Sequence, residues 1–159
     1  MKNLLISLLL GVIFIQPTMA QIKVYKGSSN YSNDVICNIS NGKVYKKASN
    51  YSTDIICNVS GNKIYKNSSN YSNDVIYSVS DGKVYNGTSS YSNDIVMTIK
   101  DGKIYKGTSS DSNDVIATIK DNKVYSGNST YSNDIQFSID GYVTIEEFVA
   151  IWHSVKYSY

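Results

Sequence analysis

No arginine occurs anywhere in the 159 residues, so every fixed cation is a lysine. Fifteen Lys stand against thirteen acids, a formal charge of +2, and the lysines are spaced along the chain rather than clustered. A near-neutral chain without arginine lacks the electrostatic footprint of a nucleic-acid binder. Proline occurs once, at Pro17. There is one histidine, His153, and the two cysteines, Cys37 and Cys57, have no histidine near them in sequence. No Ser or Cys next to His153 forms a recognisable nucleophile motif, and no Gly-rich phosphate loop is present. Catalysis and cofactor binding therefore find little support, and no cofactor is expected. Charge is low and Ser, Asn and Gly are frequent, a composition that leans toward disorder. Regularly placed Val, Ile and Tyr, fifteen of the last, argue against it by supplying apolar surface to bury.

Only one long apolar run exists, from Leu4 to Ile15, preceded by Lys2 and followed by Thr18-Met19-Ala20. This is the layout of a secretory signal peptide with cleavage after Ala20. The run is short for a spanning helix and no second one follows, so no membrane span is expected after cleavage. The protein is then secreted or periplasmic. Cleavage leaves residues 21–159, enough for one domain with a core.

What fills that domain is a 20-residue unit in six near-copies, starting at Lys23, Lys43, Lys63, Lys83, Lys103 and Lys123. A fixed period of this size marks a repeat architecture. In the first copy, Val35, Cys37 and Ile39 alternate with Ile36, Asn38 and Ser40, the period of a strand. Asn41-Gly42 follows, a type I′ hairpin signal. Turn-competent pairs recur at Gly61-Asn62, Asp81-Gly82, Asp101-Gly102, Asp121-Asn122 and Asp140-Gly141. A two-residue turn sets Ser40 opposite Lys43, Ile39 opposite Val44 and Asn38 opposite Tyr45. Val35, Cys37, Ile39 and Val44 are then expected on the core face, with Ile36, Asn38 and Tyr45 on the other. Between hairpins run Gly/Ser/Asn loops such as 27–33.

The phase of the repeat predicts closure. The array begins with a lone strand, 23–26, and ends with another, 134–139. These are two halves of one hairpin, and pairing them would remove both exposed sheet edges. The fold expected for 21–141 is an all-β ring of six β-hairpin units. The segment 142–159 departs from the repeat. Thr144 and Glu147 make a capping box, and Ile145, Phe148, Val149, Trp152 and Val155 follow helical spacing. An amphipathic helix over about 145–156 should pack on the β array as a cap or plug.

The repeated Lys-(Val/Ile)-Tyr-Lys-Gly-Xaa-Ser-Xaa-Tyr-Ser-Xaa-Asp-(Ile/Val) unit, with Thr144 to Ala150 as Thr-Ile-Glu-Glu-Phe-Val-Ala, resembles the secreted bacterial four-fold beta flower proteins. The resemblance spans 21–159. It implies radially arranged hairpins and export, and it implies no activity. Six units stand where that family name speaks of four.

Four sets of residues are candidates for function. Tyr31, Tyr51, Tyr71, Tyr91 and Tyr131 sit mid-loop, with Asp111 in the remaining copy. They either stack on sugars or meet a partner surface, or else pack onto neighbouring loops. Asp34, Asp54, Asp74, Asp94, Asp114 and Asp134 fill one slot. They are either Ca²⁺ ligands or turn-forming carboxylates. One carboxylate per repeat is few for an ion that takes about 6–8 oxygens, so no metal is expected. Asp140 to Glu147 looks like the back half of an EF-hand loop, but Gln136 stands at its first position. Cys37 and Cys57 share a slot with Tyr77, Met97, Ala117 and Phe137. That favours small apolar residues with free thiols, the alternative being a disulfide between neighbouring hairpins. The function that follows is an exported, non-enzymatic β-repeat module with a structural or binding role. One alternative is a lectin-like protein using the loop tyrosines. Another is an enzyme built around Asp140, Glu147 and His153.

Overall fold

The computed structural model describes residues 21–157. The expected leader, residues 1–20, lies outside the described residues, as do the last two residues of the expected helical segment. Twelve short strands follow one another around a closed antiparallel barrel, and one α-helix follows them. Strands β1 (Ile22–Lys26) and β12 (Ile135–Ile139) are neighbours. Their register, Val24 with Ile139, Tyr25 with Ser138 and Lys26 with Phe137, closes the ring as the split hairpin predicts. It repeats the register inside the first covalent hairpin, β2 (Val35–Ser40) with β3 (Lys43–Lys46). There Ile39 pairs with Val44, Asn38 with Tyr45 and Ser40 with Lys43. The other hairpins are β4–β5 (Ile55–Ser60, Lys63–Lys66), β6–β7 (Val75–Ser80, Lys83–Asn86), β8–β9 (Ile95–Lys100, Lys103–Lys106) and β10–β11 (Val115–Lys120, Lys123–Ser126). Asn41 (φ 51°) and Gly42 (φ 71°) are both left-handed, as a type I′ turn demands.

At the seam no peptide links the strands, and Asp140 replaces the link. Its N–H donates to Lys23 O at 3.0 Å. Its Oδ1 accepts from the Lys23 N–H at 2.6 Å, and its Oδ2 from the Tyr25 hydroxyl at 3.3 Å.

One expectation about the wall is corrected. Val24 pairs with Cys37, but Tyr25 pairs with Val35, so Ile36 is an extra residue in a β-bulge. The same irregularity recurs wherever one unit meets the next, for example between Val44 and Tyr45 opposite β4. A bulge changes which side chains share a face. Val35 therefore lies with the outward tyrosine instead of with Cys37, while Ile36, Ile56 and Ile76 pack against the interior cluster. Asn38, expected on the face away from the core, is fully buried. It is held by its amide, which donates to Lys47 O and Ser49 O, both at 2.8 Å.

The helix α1 (Ile145–Tyr157) runs through the barrel as a plug. Its capping box forms: Thr144 N–H donates to Glu147 Oε2 at 3.0 Å and Glu147 N–H to Thr144 Oγ1 at 3.2 Å. Five successive residues, Phe148 to Trp152, are buried, which a helix lying on an outer surface would not show. Its side chains touch opposite walls. Trp152 meets Phe137 on β12, with ring centroids 6.3 Å apart, and His153 meets Tyr77 on β6 at 5.5 Å. Twelve strands spaced about 4.8 Å apart give a diameter of roughly 18 Å before tilt, room for a helix roughly 10–12 Å wide plus wall side chains. An eight-stranded barrel fills with its own side chains; in this wider one the helix fills the lumen. The helix sits nearest β2, β3, β4 and β5. There the mid-strand slot holds the small Cys37 and Cys57, whereas the larger Tyr77, Met97 and Phe137 fill that slot on three of the other four strands and Ala117 on the fourth.

Candidate functional site

The barrel's two ends differ. One end carries the two-residue turns and the Asp140 seam. The other carries six loops, 27–34 and its copies, which share one plan. After the strand the chain turns through a left-handed residue: Gly27, Lys47, Asn67, Gly87, Gly107 or Gly127, with φ between 50° and 57°. In four of the six loops a polar side chain on the neighbouring strand holds that turn residue, while Asn58 and Ser138 hold the serine carbonyl two residues further on, Ser69 O and Ser29 O. Asn38 donates to Lys47 O, Ser78 to Gly87 O, Thr98 to Gly107 O and Thr118 to Gly127 O, all at 2.7–2.8 Å. Two residues further on, a serine clasps an aspartate. Ser29 donates to Asp34, Ser49 to Asp54, Ser69 to Asp74, Ser89 to Asp94, Ser109 to Asp114 and Ser129 to Asp134, at 2.5–2.6 Å. The repeated aspartate thus has a structural partner. It accepts a hydroxyl five residues back, not the backbone N–H that an Asx turn would supply. Charge-assisted bonds of this kind are short and strong.

The loop tyrosine follows the clasping serine by two residues. Its N–H donates to that serine's Oγ, as in Tyr31 to Ser29 and Tyr51 to Ser49, both at 3.2 Å. It then precedes a single 3-10 turn, with nearly identical backbone angles in each copy (Tyr31 φ −82°, ψ 141°; Tyr91 φ −84°, ψ 142°). The side chains point away from the protein. Tyr31, Tyr51, Tyr71, Tyr91 and Tyr131 are 71–78% exposed, so they are not packed onto neighbouring loops. Successive loops are two strands apart, which spaces these rings on the order of 10 Å around the rim. In the remaining copy Asp111 caps its own turn, accepting the Asn113 N–H at 2.9 Å.

A family model described as 6-fold beta flower protein matches residues 24–152. The chain belongs to the six-fold beta flower family. That corrects the four-fold resemblance: six units, each a hairpin or the equivalent β12–β1 pair, make the ring. A beta flower repeat of this kind fits a structural module. No curated protein and no solved structure matches the chain.

The other candidate residues of this beta flower are dispersed. Asp140 is bound into the seam. Glu147 is bound into the helix cap. His153 lies six residues along the helix from Glu147, about 9 Å further down its axis. Burial pushes its imidazole below the usual pKa. The geometry does not gather the three around one substrate position. No group of three or more His, Cys, Asp or Glu residues suited to a metal ion occurs among the described residues. The EF-hand-like stretch is instead the end of a strand, the seam and the helix cap.

Cys37 and Cys57 are free, fully buried thiols facing the lumen. They stand two strands apart, about 10 Å along the wall, beyond the roughly 7 Å that a disulfide spans between Cα atoms. Burial, and secondarily the neighbouring Cys57, pushes Cys37 up to about 12. Burial pushes Cys57 up to about 11, partly offset by the Ser154 hydroxyl 3.6 Å away. These are unreactive packing groups. Reading the sequence alone missed the Ser–Asp clasp and the polar anchor at Asn38, Ser78, Thr98 and Thr118. Their signal was present as invariance of hydrogen-bonding type within each repeat slot.

Proposed function

We propose that this beta flower is an exported, non-enzymatic binding module whose contact surface is the loop rim. The ligand class that fits best is carbohydrate, stacked on Tyr31, Tyr51, Tyr71, Tyr91 and Tyr131. The observation that carries the reading is five tyrosines, all more than two-thirds exposed, held in one backbone geometry on one rim. Exposed aromatic faces attract the C–H faces of sugars and other flat partners, and a polar hydroxyl at the tip suits a wet interface. The clasp and anchor fix each loop before any ligand arrives, which lowers the ordering cost of binding. Rings repeated at roughly 10 Å intervals suit a repeating polymer, where weak contacts add by avidity. Export rests on the leader-like residues 1–20.

The test is a glycan-array screen with residues 21–159, repeated with Tyr51→Ser/Tyr71→Ser. Binding of one or more polysaccharides that the double variant loses supports the proposal. Array binding that survives the double variant, or no binding to any glycan, overturns it.

A further inference from the structure

The six loops share a plan, but the rim is not symmetric in charge. The last residue of the strand entering each loop is Lys26, Lys46 and Lys66 on one half, and Asn86, Lys106 and Ser126 on the other. The second half also carries Asp111 in place of a tyrosine. One groove of the basic half is further marked. Between the first two loops lies a cleft of about 470 Å³, lined by Lys26 and Lys47, with Asn33 and Asp34 beside them and Val35, Ile36 and the helix residue Val155 as its apolar part. The volume is in the range of small-ligand sites.

Lys47 is the unusual residue. It occupies the left-handed slot, φ 51°, where four of the other copies have glycine and one has asparagine. A lysine is disfavoured in that conformation. The backbone is nevertheless pinned there from both sides, Lys47 N–H donating to Ile36 O at 2.9 Å and Lys47 O accepting from Asn38 at 2.8 Å. The repeat supplies a better residue for the backbone, so the side chain is what the substitution adds. A strained residue beside a cleft points to a role for that side chain.

We propose that this cleft is a subsite for an acidic saccharide. Lys26 and Lys47 take the carboxylate of a uronic-acid residue, the apolar part takes the sugar's C–H face, and Tyr31 and Tyr51 on the two flanking loops hold the adjoining residues. The inference rests on the carbohydrate reading of the rim and narrows it to anionic polymers. Two lysines favour an anion as point charges and leave ring orientation to the apolar contact.

The experiment is isothermal titration of residues 21–159 with an oligogalacturonide, its neutral methyl ester, and a sulfated neutral oligosaccharide of equal length. It is repeated for Lys47→Gly and Lys26→Gln. Lys47→Gly restores the residue found in four sister loops, so its melting temperature should equal or exceed that of the parent, and a folding defect cannot mimic the result. The expected outcome is a tenfold or greater preference for the acid over its ester, reduced at least fivefold by either variant, with the sulfated sugar binding more weakly than the uronide. Equal affinity for acid and ester, or a preference that survives Lys47→Gly, overturns the acidic subsite and leaves the tyrosine rim standing. A sulfated sugar binding as tightly as the uronide overturns the assignment to carboxylate. Absence of binding to all three, with an empty array, overturns both proposals.

Discussion

At the turn end of the barrel, backbone geometry and covalent reach leave little choice of residue; at the loop end, the same repeat builds a scaffold and then leaves one position unconstrained. Gly82 shows the first condition. It is left-handed, and a Cβ there would stand 2.5 Å from Ile99 O, because each turn is clamped by the next hairpin, here through the Ile99 N–H to Gly82 O bond at 2.7 Å. Tyr71 shows the second. Its backbone is fixed by Ser69, yet its side chain is 78% exposed. The helix joins the two regions, capped at the turn end and finishing at the loop end. Constraint without exposure marks stability, and exposure on a constrained backbone marks a surface available for recognition.

The sharpest way to break the turn-end and lumen side is Trp152→Ala. Trp152 is 8% exposed, lies between Phe137 and Phe148, and has the Lys156 ammonium 4.8 Å from its ring centre. Removing it leaves a cavity in a barrel too wide to collapse onto itself. A loss of about 3–5 kcal/mol is expected in urea melts. A midpoint equal to the parent's would mean the plug is not part of the cooperative core.

Next in size is the alkaline limit set by the lumen thiols. Their folded pKa values, about 12 and about 11, lie above the value of 9 for a free thiol. The unfolded chain therefore releases protons first as pH rises. The thiols' contribution is fully present below pH 9 and is lost as pH climbs from 9 toward 12. By pH 11 the loss is about 2–3 kcal/mol per thiol. Tyr25, raised by burial first and then by Asp140, adds to the same direction above pH 10. Melts of Cys37→Ala and parent should converge as pH rises from 8 to 11, because only the parent carries the Cys37 share of this penalty. Parallel curves would show that the thiols ionise within the fold. At pH 8 neither thiol should react with a water-soluble disulfide reagent until denaturant is added.

Much of this architecture was legible because hairpin register and barrel closure are counting problems. Asn41-Gly42 fixed Ile39 against Val44, and the two unpaired ends, around Val24 and Ile139, had only each other. The bulge at Ile36 was not legible. Two β-branched residues in a row continue the apolar pattern, and the sequence has no glycine there to mark the extra residue. The plug was half legible. Thr144 and Glu147 announced the helix, but its passage through the lumen depends on a twelve-strand circumference and on small side chains at Cys37 and Cys57, which only the closed ring brings together. At the rim, the tyrosine slot was plain and its exposure was not. Asp34 stood out as a slot filled by aspartate in every copy, while its partner Ser29 was hidden in a run of serines and asparagines.

A smaller effect is expected at the seam, where the turn end lacks its sixth peptide link. Asp140→Ala removes two acceptors, those of Lys23 N–H and the Tyr25 hydroxyl. The site is exposed, so water replaces part of what is lost. A destabilisation of about 1–2 kcal/mol is expected. It should be accompanied by faster amide exchange in β1 and β12 than in β6 and β7, since the seam is the one neighbouring strand pair with no turn or loop joining its strands. Uniform exchange around the barrel would show that the Val24–Ile139 ladder holds without the aspartate.

The smallest stability effect is expected where the functional effect should be largest. Tyr51→Ser and Tyr71→Ser each remove a ring that is more than 70% exposed and leave intact the backbone N–H bonds to Ser49 and Ser69. Surface changes away from caps and cores usually stay within about 0.5 kcal/mol. The two rings lie on adjacent loops, so their contributions to a repeating ligand multiply rather than add, and the double variant should lose about tenfold or more in avidity. Ser49→Ala and Ser69→Ala provide the converse. They break the clasp on Asp54 and Asp74 while keeping both rings. Each should cost about 1 kcal/mol and weaken binding only through loss of loop order. If the tyrosine variants instead lose stability as the serine variants do, the rings are packing groups, and the contrast between the two ends of the barrel disappears.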